Sequence, residues 1–299
     1  MTVSWPISSS IFIPAHKTRW VESVVKHRPD AVVLDLEDAV APHEKPEARK
    51  TVPGSLQFLS ENGIGGIVRI NALEEGGDLD IAAIMHPELD AVMLPKAATV
   101  AQVKEVDALL TYHEGRAGLA RHAVAILILP ETAEGMQDAR DLAAASPRVQ
   151  GLVSGILGSG AAGDFAQALG IWPSEEGSEQ NYIISKLALD SRAGGAMHPI
   201  GVVNGVGIDD LPKVRQLTQK AKTFGYTGVL VIHPSHLPIV QETFAPTEAE
   251  LAFYRGVIAK MKETDATGDG AVRYEGQMID YAMLARAEQV IAQAERYKA

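Results

Sequence analysis

Two acidic residues and one basic residue stand where apolar runs end, and their types are those that grip a cation and an anion. Glu131 closes the run AVAILILPE (123–131), and Asp164 follows LVSGIL (152–157) within GAAGDF. If the two runs are neighbouring strands, they lie about 4.8 Å apart, and the two carboxylates can share one divalent ion. The chain contains no cysteine, so a metal must be held by oxygen or imidazole. A carboxylate pair with open positions left for substrate suits Mg²⁺ rather than Zn²⁺. The glycines around Asp164 let backbone and substrate approach closely. Helix capping by both carboxylates is the alternative reading.

Arg69 in IVRIN (67–71) is the basic member. A guanidinium in such a run is costly to bury without a partner. It either pairs with Glu37 or Asp38 as scaffold, or its fork receives a carboxylate or enolate oxygen. Other patterns point to less. Gly158-Ser159-Gly160-Ala161-Ala162-Gly163 has the spacing of a dinucleotide loop, but the helix, further strand and acidic residue such a loop needs do not follow. The Asp265–Gly270 stretch has calcium-loop spacing, yet position twelve falls on Gly276 instead of a bidentate Glu. His233 and His236 are separated by Pro234, which breaks the helix that would pair them.

These residues need a scaffold that brings strand ends together. Short apolar runs recur at SIFIP (10–14), AVVLDLE (31–37), IVRIN (67–71), AVMLP (91–95), 123–131, 152–157, the weaker PIGVVN (199–204) and GVLVIHP (228–234). Most are continuous rather than alternating, as parallel strands covered on both faces must be. Helix-compatible segments such as 101–112, 133–145, 182–193 and 211–224 lie between them. Eight strands alternating with helices predict a (β/α)8 TIM barrel, whose site lies at the C-terminal strand ends. The barrel is expected over 1–245. A C-terminal helical extension, lid or subunit-contacting arm is expected over 246–299, with helical spacing from Ile279 to Ala294.

Composition bounds the partners. The 299 residues carry 27 Lys+Arg against 38 Asp+Glu, a formal charge of -11, which argues against a general nucleic-acid binder. The longest apolar stretch, 123–130, is too short to span a bilayer, and the N-terminus MTVSWPISSS lacks a signal-peptide pattern. A cytoplasmic protein is expected, with no membrane partner.

The blocks IFIPA (11–15), VLDLEDAVAPHEKPEAR (33–49), VRIN (68–71), MLPKA (93–97), ILPETAEG (128–135), GSGAAGDFAQALG (158–170) and GVLVIHPSHL (228–237) occur together and in order. In this the chain resembles the HpcH/HpaI aldolase and citrate lyase β-subunit (CitE-like) family, and within it the malyl-CoA and citramalyl-CoA lyases. The resemblance implies a Mg²⁺-binding barrel that assembles as a homotrimer or homohexamer and acts on an acyl-CoA thioester and a 2-oxo acid. It implies Glu131 and Asp164 as metal ligands, with Glu131 also at the substrate, and Arg69 as the substrate-anion contact. Phe12, Arg19 and His198 are implied as further substrate contacts. GDGAVRYEGQMID (268–280) resembles the family's lid, with Asp280 as acid/base over a neighbouring subunit's site. Departures from the family pattern fall at Ser8-Ser9-Ser10, at Arg19 and Ser23 in place of lysines, at Gly228 to His233, where the usual Lys is missing, and at Met197-His198. A lyase cleaving a 3-hydroxyacyl-CoA is the leading expectation. A thioesterase on the same fold and a non-catalytic 2-oxo acid or CoA binder are the rivals.

Overall fold

The eight apolar runs form eight parallel strands that close into one barrel. They are β1 (Ser9–Pro14), β2 (Ala31–Asp35), β3 (Gly65–Arg69), β4 (Ala91–Leu94), β5 (Ala125–Ile128), β6 (Val149–Leu157), β7 (Ile200–Asn204) and β8 (Gly228–Val231). Each pairs with the next in chain order, and β8 returns to β1 through Ser9↔Val229. The structure is a computed structural model and describes residues 4–160, 163–265 and 270–298. Residues 266–269 of the calcium-like segment and Ala161-Ala162 of the glycine pattern lie outside that description. Among the described residues, no helix is long and apolar enough to cross a membrane. The chain divides into two compact units, Met1–Thr243 and Phe244–Ala299.

Within the first unit, helices follow the strands: α1 (Thr18–Val24), α2 (Lys45–Glu61), α3 (Gly77–Ile84), α4 (Val100–Ala117), α5 (Ala133–Gln137), α6 (Ala139–Ala144), α7 (Asp164–Leu169), α8 (Asn181–Ala193), α9 (Leu211–Thr223) and α10 (Leu237–Phe244). Their ends carry local stop and start signals. Thr99 and Gln102 form a reciprocal capping box at α4, which ends on Gly118 at φ 71°. Asp210 caps α9, whose last turn carries Lys220 and Lys222, favourably placed for the helix dipole.

The barrel interior is packed with Ala31, Val33, Ile67, Ala91, Met93, Leu127, Leu129, Val153, Ile200, Val202 and Leu230. Alternate residues of a strand share a face. Two positions beyond Val33, Ile67, Leu129 and Val202 stand Asp35, Arg69, Glu131 and Asn204. The period that fills the core therefore delivers polar groups to its upper rim.

The opposite end is tied by a buried cation. Arg148, wholly buried at the start of β6, donates to Asp107, to both Glu114 oxygens, to Thr111 and to the Val124 carbonyl, at 2.6–2.9 Å. These contacts hold the Asp107 and Glu114 carboxyls below their usual range, against the opposing effect of burial. Arg148→Ala strands a buried Glu114. It should lower stability by about 3–5 kcal/mol, measured by urea unfolding, with the rim chemistry of the folded fraction unchanged.

In the second unit, α11 (Glu248–Asp265) starts at a Thr247–Glu250 capping box. β9 (Ala271–Tyr274) and β10 (Gln277–Asp280) form an antiparallel hairpin, and α12 (Tyr281–Lys298) follows. The hairpin corrects the helical expectation for Ile279: that residue is the buried member of β10 and packs with Val257, Met261 and Ala287. Glu275 and Gly276 both take positive φ, 46° and 79°, which a two-residue hairpin turn requires. Tyr274 lies so close to Gly256 that a side chain there would collide with its ring.

Candidate active site

Five carboxylates and two cations gather at the C-terminal rim of the barrel. Asp35, the last residue of β2, receives Nε of Arg69 at 2.7 Å and its Nη2 at 2.6 Å. Asp35 is itself oriented by the backbone N–H groups of Glu37 and Ala39. The Arg69 Nη1 lies 2.8 Å from Glu37, and its guanidinium stacks 4.7 Å from the centre of the Phe12 ring. Arg69 is thus scaffolded, but by Asp35 and Glu37 instead of Asp38. Two of its five N–H groups are hydrogen-bonded, both to Asp35, which leaves three, with Nη1 facing Glu37 only as an ion pair. These anionic partners hold its pKa above the ordinary arginine value, although burial opposes this.

Lys96 follows β4 and supplies the second cation. Its Nζ lies 3.0 Å from Glu37, 3.1 Å from Asp164 and 3.7 Å from Asp38. Its backbone takes φ 50°, a left-handed conformation uncommon outside glycine. Glu37 is buried between the two cations, and both its oxygens lie off the hydrogen-bonding direction. Burial raises its pKa more than Arg69 and Lys96 lower it.

Neither proposed ligand is a helix cap. α5 is capped by Thr132, whose hydroxyl accepts from the Gly135 N–H at 2.9 Å, and Glu131 is left free beside it. α7 begins at Asp164 behind Gly163, with no side-chain cap bond. Glu131 is largely buried, and among the described residues no donor reaches its carboxylate. Burial pushes its pKa up to about 8, with Arg69 opposing and the Glu37 and Asp164 charges adding.

That raised value makes a stability prediction. The protonated Glu131 favours the native state fully below pH about 4.5, and the advantage is lost as pH rises through about 8. The melting temperature of metal-stripped protein should fall by several degrees between pH 5 and 8.5. Glu131→Gln should flatten that slope, and an unchanged slope in the variant would show that Glu131 is not its source.

The first two glycines of the pattern serve packing. A Cβ on Gly158 or Gly160 would stand 2.4 or 2.7 Å from the Gly205 carbonyl oxygen, and the Gly160 N–H donates to that oxygen at 2.8 Å. Residues 158–160 are thereby laid against the end of β7. A second polar network holds the loop after β2. Asn71 donates to the Leu36 carbonyl and to Asp80 and accepts from Lys45, while Asp80 also holds Arg49.

The expected contacts divide by place. Arg69, Glu131, Asp164 and Phe12 belong to one rim cluster, and Arg19 is exposed on α1, beyond the C-terminal end of β1. His198 does not join them. It precedes β7, donates its N–H to the Gln150 carbonyl and stacks on Trp5 at 5.6 Å, which puts it at the N-terminal end of the barrel. Ser8, Ser9 and Ser10 are buried at that end too, where Asp30 accepts from Ser8 and Ser9. The residue β7 presents at the rim is Asn204. Asp280 lies in the second unit, exposed, and its Oδ1 accepts from the Ala282 N–H at 3.0 Å. His236 is buried on the Ile208 carbonyl, and His233 pairs with Ser235.

Inspection of the sequence marks Pro95-Lys96 at the end of an apolar run but gives Lys96 no role, and it misses Asp35, which lies inside the run AVVLDLE.

Among the described residues, no three acidic or histidine side chains form a ready-made metal cage. What the rim offers is a formal excess of three negative charges, two carboxylates free of capping duty and one of them without a donor. That donor set fits a divalent cation whose other positions go to water and substrate.

A closed parallel (β/α)8 barrel with such a rim defines a TIM-barrel protein whose charged groups converge at the C-terminal strand ends. The chain belongs to the HpcH/HpaI aldolase/citrate lyase family, whose profile matches residues 8–234. It is 28% identical to the L-malyl-CoA/beta-methylmalyl-CoA lyase of Rhodobacter capsulatus, over 96% of this chain and 94% of that one. It is 29% identical to the (3S)-malyl-CoA thioesterase of Cereibacter sphaeroides, over 97% and 95%. Among solved structures, Mycobacterium tuberculosis CitE in complex with magnesium, acetoacetate and coenzyme A matches with a TM-score of 0.72 at 28% identity, over 97% of this chain and 99% of that one. A citrate lyase from Burkholderia xenovorans shares the fold with a TM-score of 0.82 at 20% identity, over 99% and 94%.

Proposed function

We propose that the protein is a Mg²⁺-dependent carbon–carbon lyase that cleaves a 3-hydroxyacyl-CoA, of the malyl-CoA or citramalyl-CoA type, to acetyl-CoA and a 2-oxo acid. The observation that carries this reading is Glu131: a largely buried carboxylate without a donor, at the rim beside Asp164 in a site with excess negative charge. Lyases acting on malyl-CoA among the relatives, and magnesium and coenzyme A in the CitE complex, support it.

In this reading Glu131 and Asp164 hold the metal, which supplies Lewis-acid polarisation at the hydroxy-acid end of the substrate. As the carbon–carbon bond breaks, the hydroxyl proton passes to water, the hydroxyl carbon becomes the 2-oxo carbonyl, and the electron pair of the broken bond is left as negative charge on the thioester carbonyl oxygen. N–H groups of Arg69 not taken up by Asp35 stabilise that enolate, with the guanidinium fixed beforehand by Asp35, Glu37 and Phe12. Asp280 protonates the enolate carbon in cleavage and removes the same proton in condensation. We assign Asp280 to the site of a neighbouring subunit in a homotrimer or homohexamer.

The thioesterase relative favours a second reading, hydrolysis of the thioester. A panel of acyl-CoA substrates with and without Mg²⁺ separates the two. A 2-oxo acid with acetyl-CoA supports the lyase, a free hydroxy diacid with CoA supports the hydrolase, and turnover independent of Mg²⁺ overturns the metal assignment.

A further inference from the structure

Lys96 has no part in the reaction as written, yet its ammonium sits on a carboxylate that the reaction needs. Its Nζ contacts Asp164 at 3.1 Å and Glu37 at 3.0 Å, with Asp38 at 3.7 Å. Its side chain is 32% exposed, so it has room to move, whereas Arg69 is 11% exposed and locked by its fork on Asp35. The left-handed backbone at Lys96 is a local cost that the surrounding structure bears to bring this side chain over the rim. The two cations therefore differ in kind, one fixed and one able to let go.

A divalent ion on Asp164 and an ammonium on the same carboxylate repel each other strongly at such separations, because the rim is only partly solvated. We propose that Lys96 is an internal counter-ion that occupies Asp164 in the metal-free protein and is displaced towards Glu37 and Asp38 when the metal binds, so that it sets the metal affinity. This rests on the assignment of Asp164 as a metal ligand. The arrangement lowers the excess negative charge of the metal-free site, weakens metal binding to the free protein, and leaves an ammonium released at the moment the site is loaded.

The test is calorimetric titration of the full-length protein with MgCl2. Lys96→Met and Lys96→Gln should bind Mg²⁺ at least tenfold more tightly than wild type and melt at a lower temperature when metal-free. Lys96→Arg, which keeps the charge, should stay near the wild-type affinity. Equal or weaker Mg²⁺ binding in both neutral variants overturns the inference. A second measurement needs no substitution: amine acylation of wild-type protein, read by mass spectrometry, should label Lys96 faster with Mg²⁺ than without, and equal labelling also overturns it. Failure of the underlying metal assignment has its own signature. In that case neither wild type nor Lys96→Met binds Mg²⁺, and the inference falls with it.

Discussion

Glu131→Ala is expected to abolish Mg²⁺ binding and to lower kcat/KM by roughly a thousandfold or more, the several kcal/mol that a Lewis acid contributes to such a transition state. The loss should not come from unfolding. Glu131 accepts no hydrogen bond from the described residues, and Thr132, not Glu131, caps α5. Removing an uncompensated carboxylate should raise the melting temperature of metal-free protein near pH 8. Wild-type protein should also release close to one proton per Mg²⁺ bound at pH 7, because Glu131 is protonated there without metal. Calorimetry in buffers of different ionisation enthalpy reads that proton. Mg²⁺ affinity within threefold of wild type in Glu131→Ala would remove Glu131 from the metal site.

Asp280→Asn is expected to lower turnover by about 10²–10⁴-fold, the usual range for a general acid/base, with Mg²⁺ affinity unchanged. Asparagine can keep the cap bond that the Asp280 Oδ1 makes with the Ala282 N–H, so the start of α12 survives the change. The specific readout is deuterium entry into the methyl group of acetyl-CoA in heavy water with a 2-oxo acid present. The variant should lose it. If Asp280 serves a neighbouring subunit, a mixture of inactive Asp280→Asn and Glu131→Ala chains should regain activity after subunit exchange. Full exchange in the single variant would remove Asp280 from the chemistry.

Much of the rim was readable before any coordinates because its residues interrupt long apolar runs. Glu131 and Arg69 stand two positions beyond inward-facing core residues, so the same alternation that packs the barrel announces them. Asp35 was harder to see. It lies inside AVVLDLE, where the more conspicuous Glu37-Asp38 pair drew the assignment of Arg69's partner. Lys96 depends on side chains from two other strand ends, a convergence that no local pattern encodes. His198 was misplaced because PIGVVN is a weak run whose polar neighbours at both ends look alike, and only the pairing of β6 with β7 separates floor from rim. The hairpin in the second unit was hidden because Ile279 also fits a helical stripe. The positive-φ pair Glu275-Gly276 decides for the turn.

The contact of Gly158 and Gly160 with the Gly205 carbonyl has a consequence for how this barrel can diversify. The segment 158–160 is held by main chain touching main chain, with no side chain in between to be traded for another. If the rim is the site proposed above, change of acid specificity falls to neighbours such as Asn204, whose side chain takes no part in that contact. On the proposed function, the segment that shapes the rim and the side chains that would meet the acid are then separate stretches, and the second can drift while the first is kept.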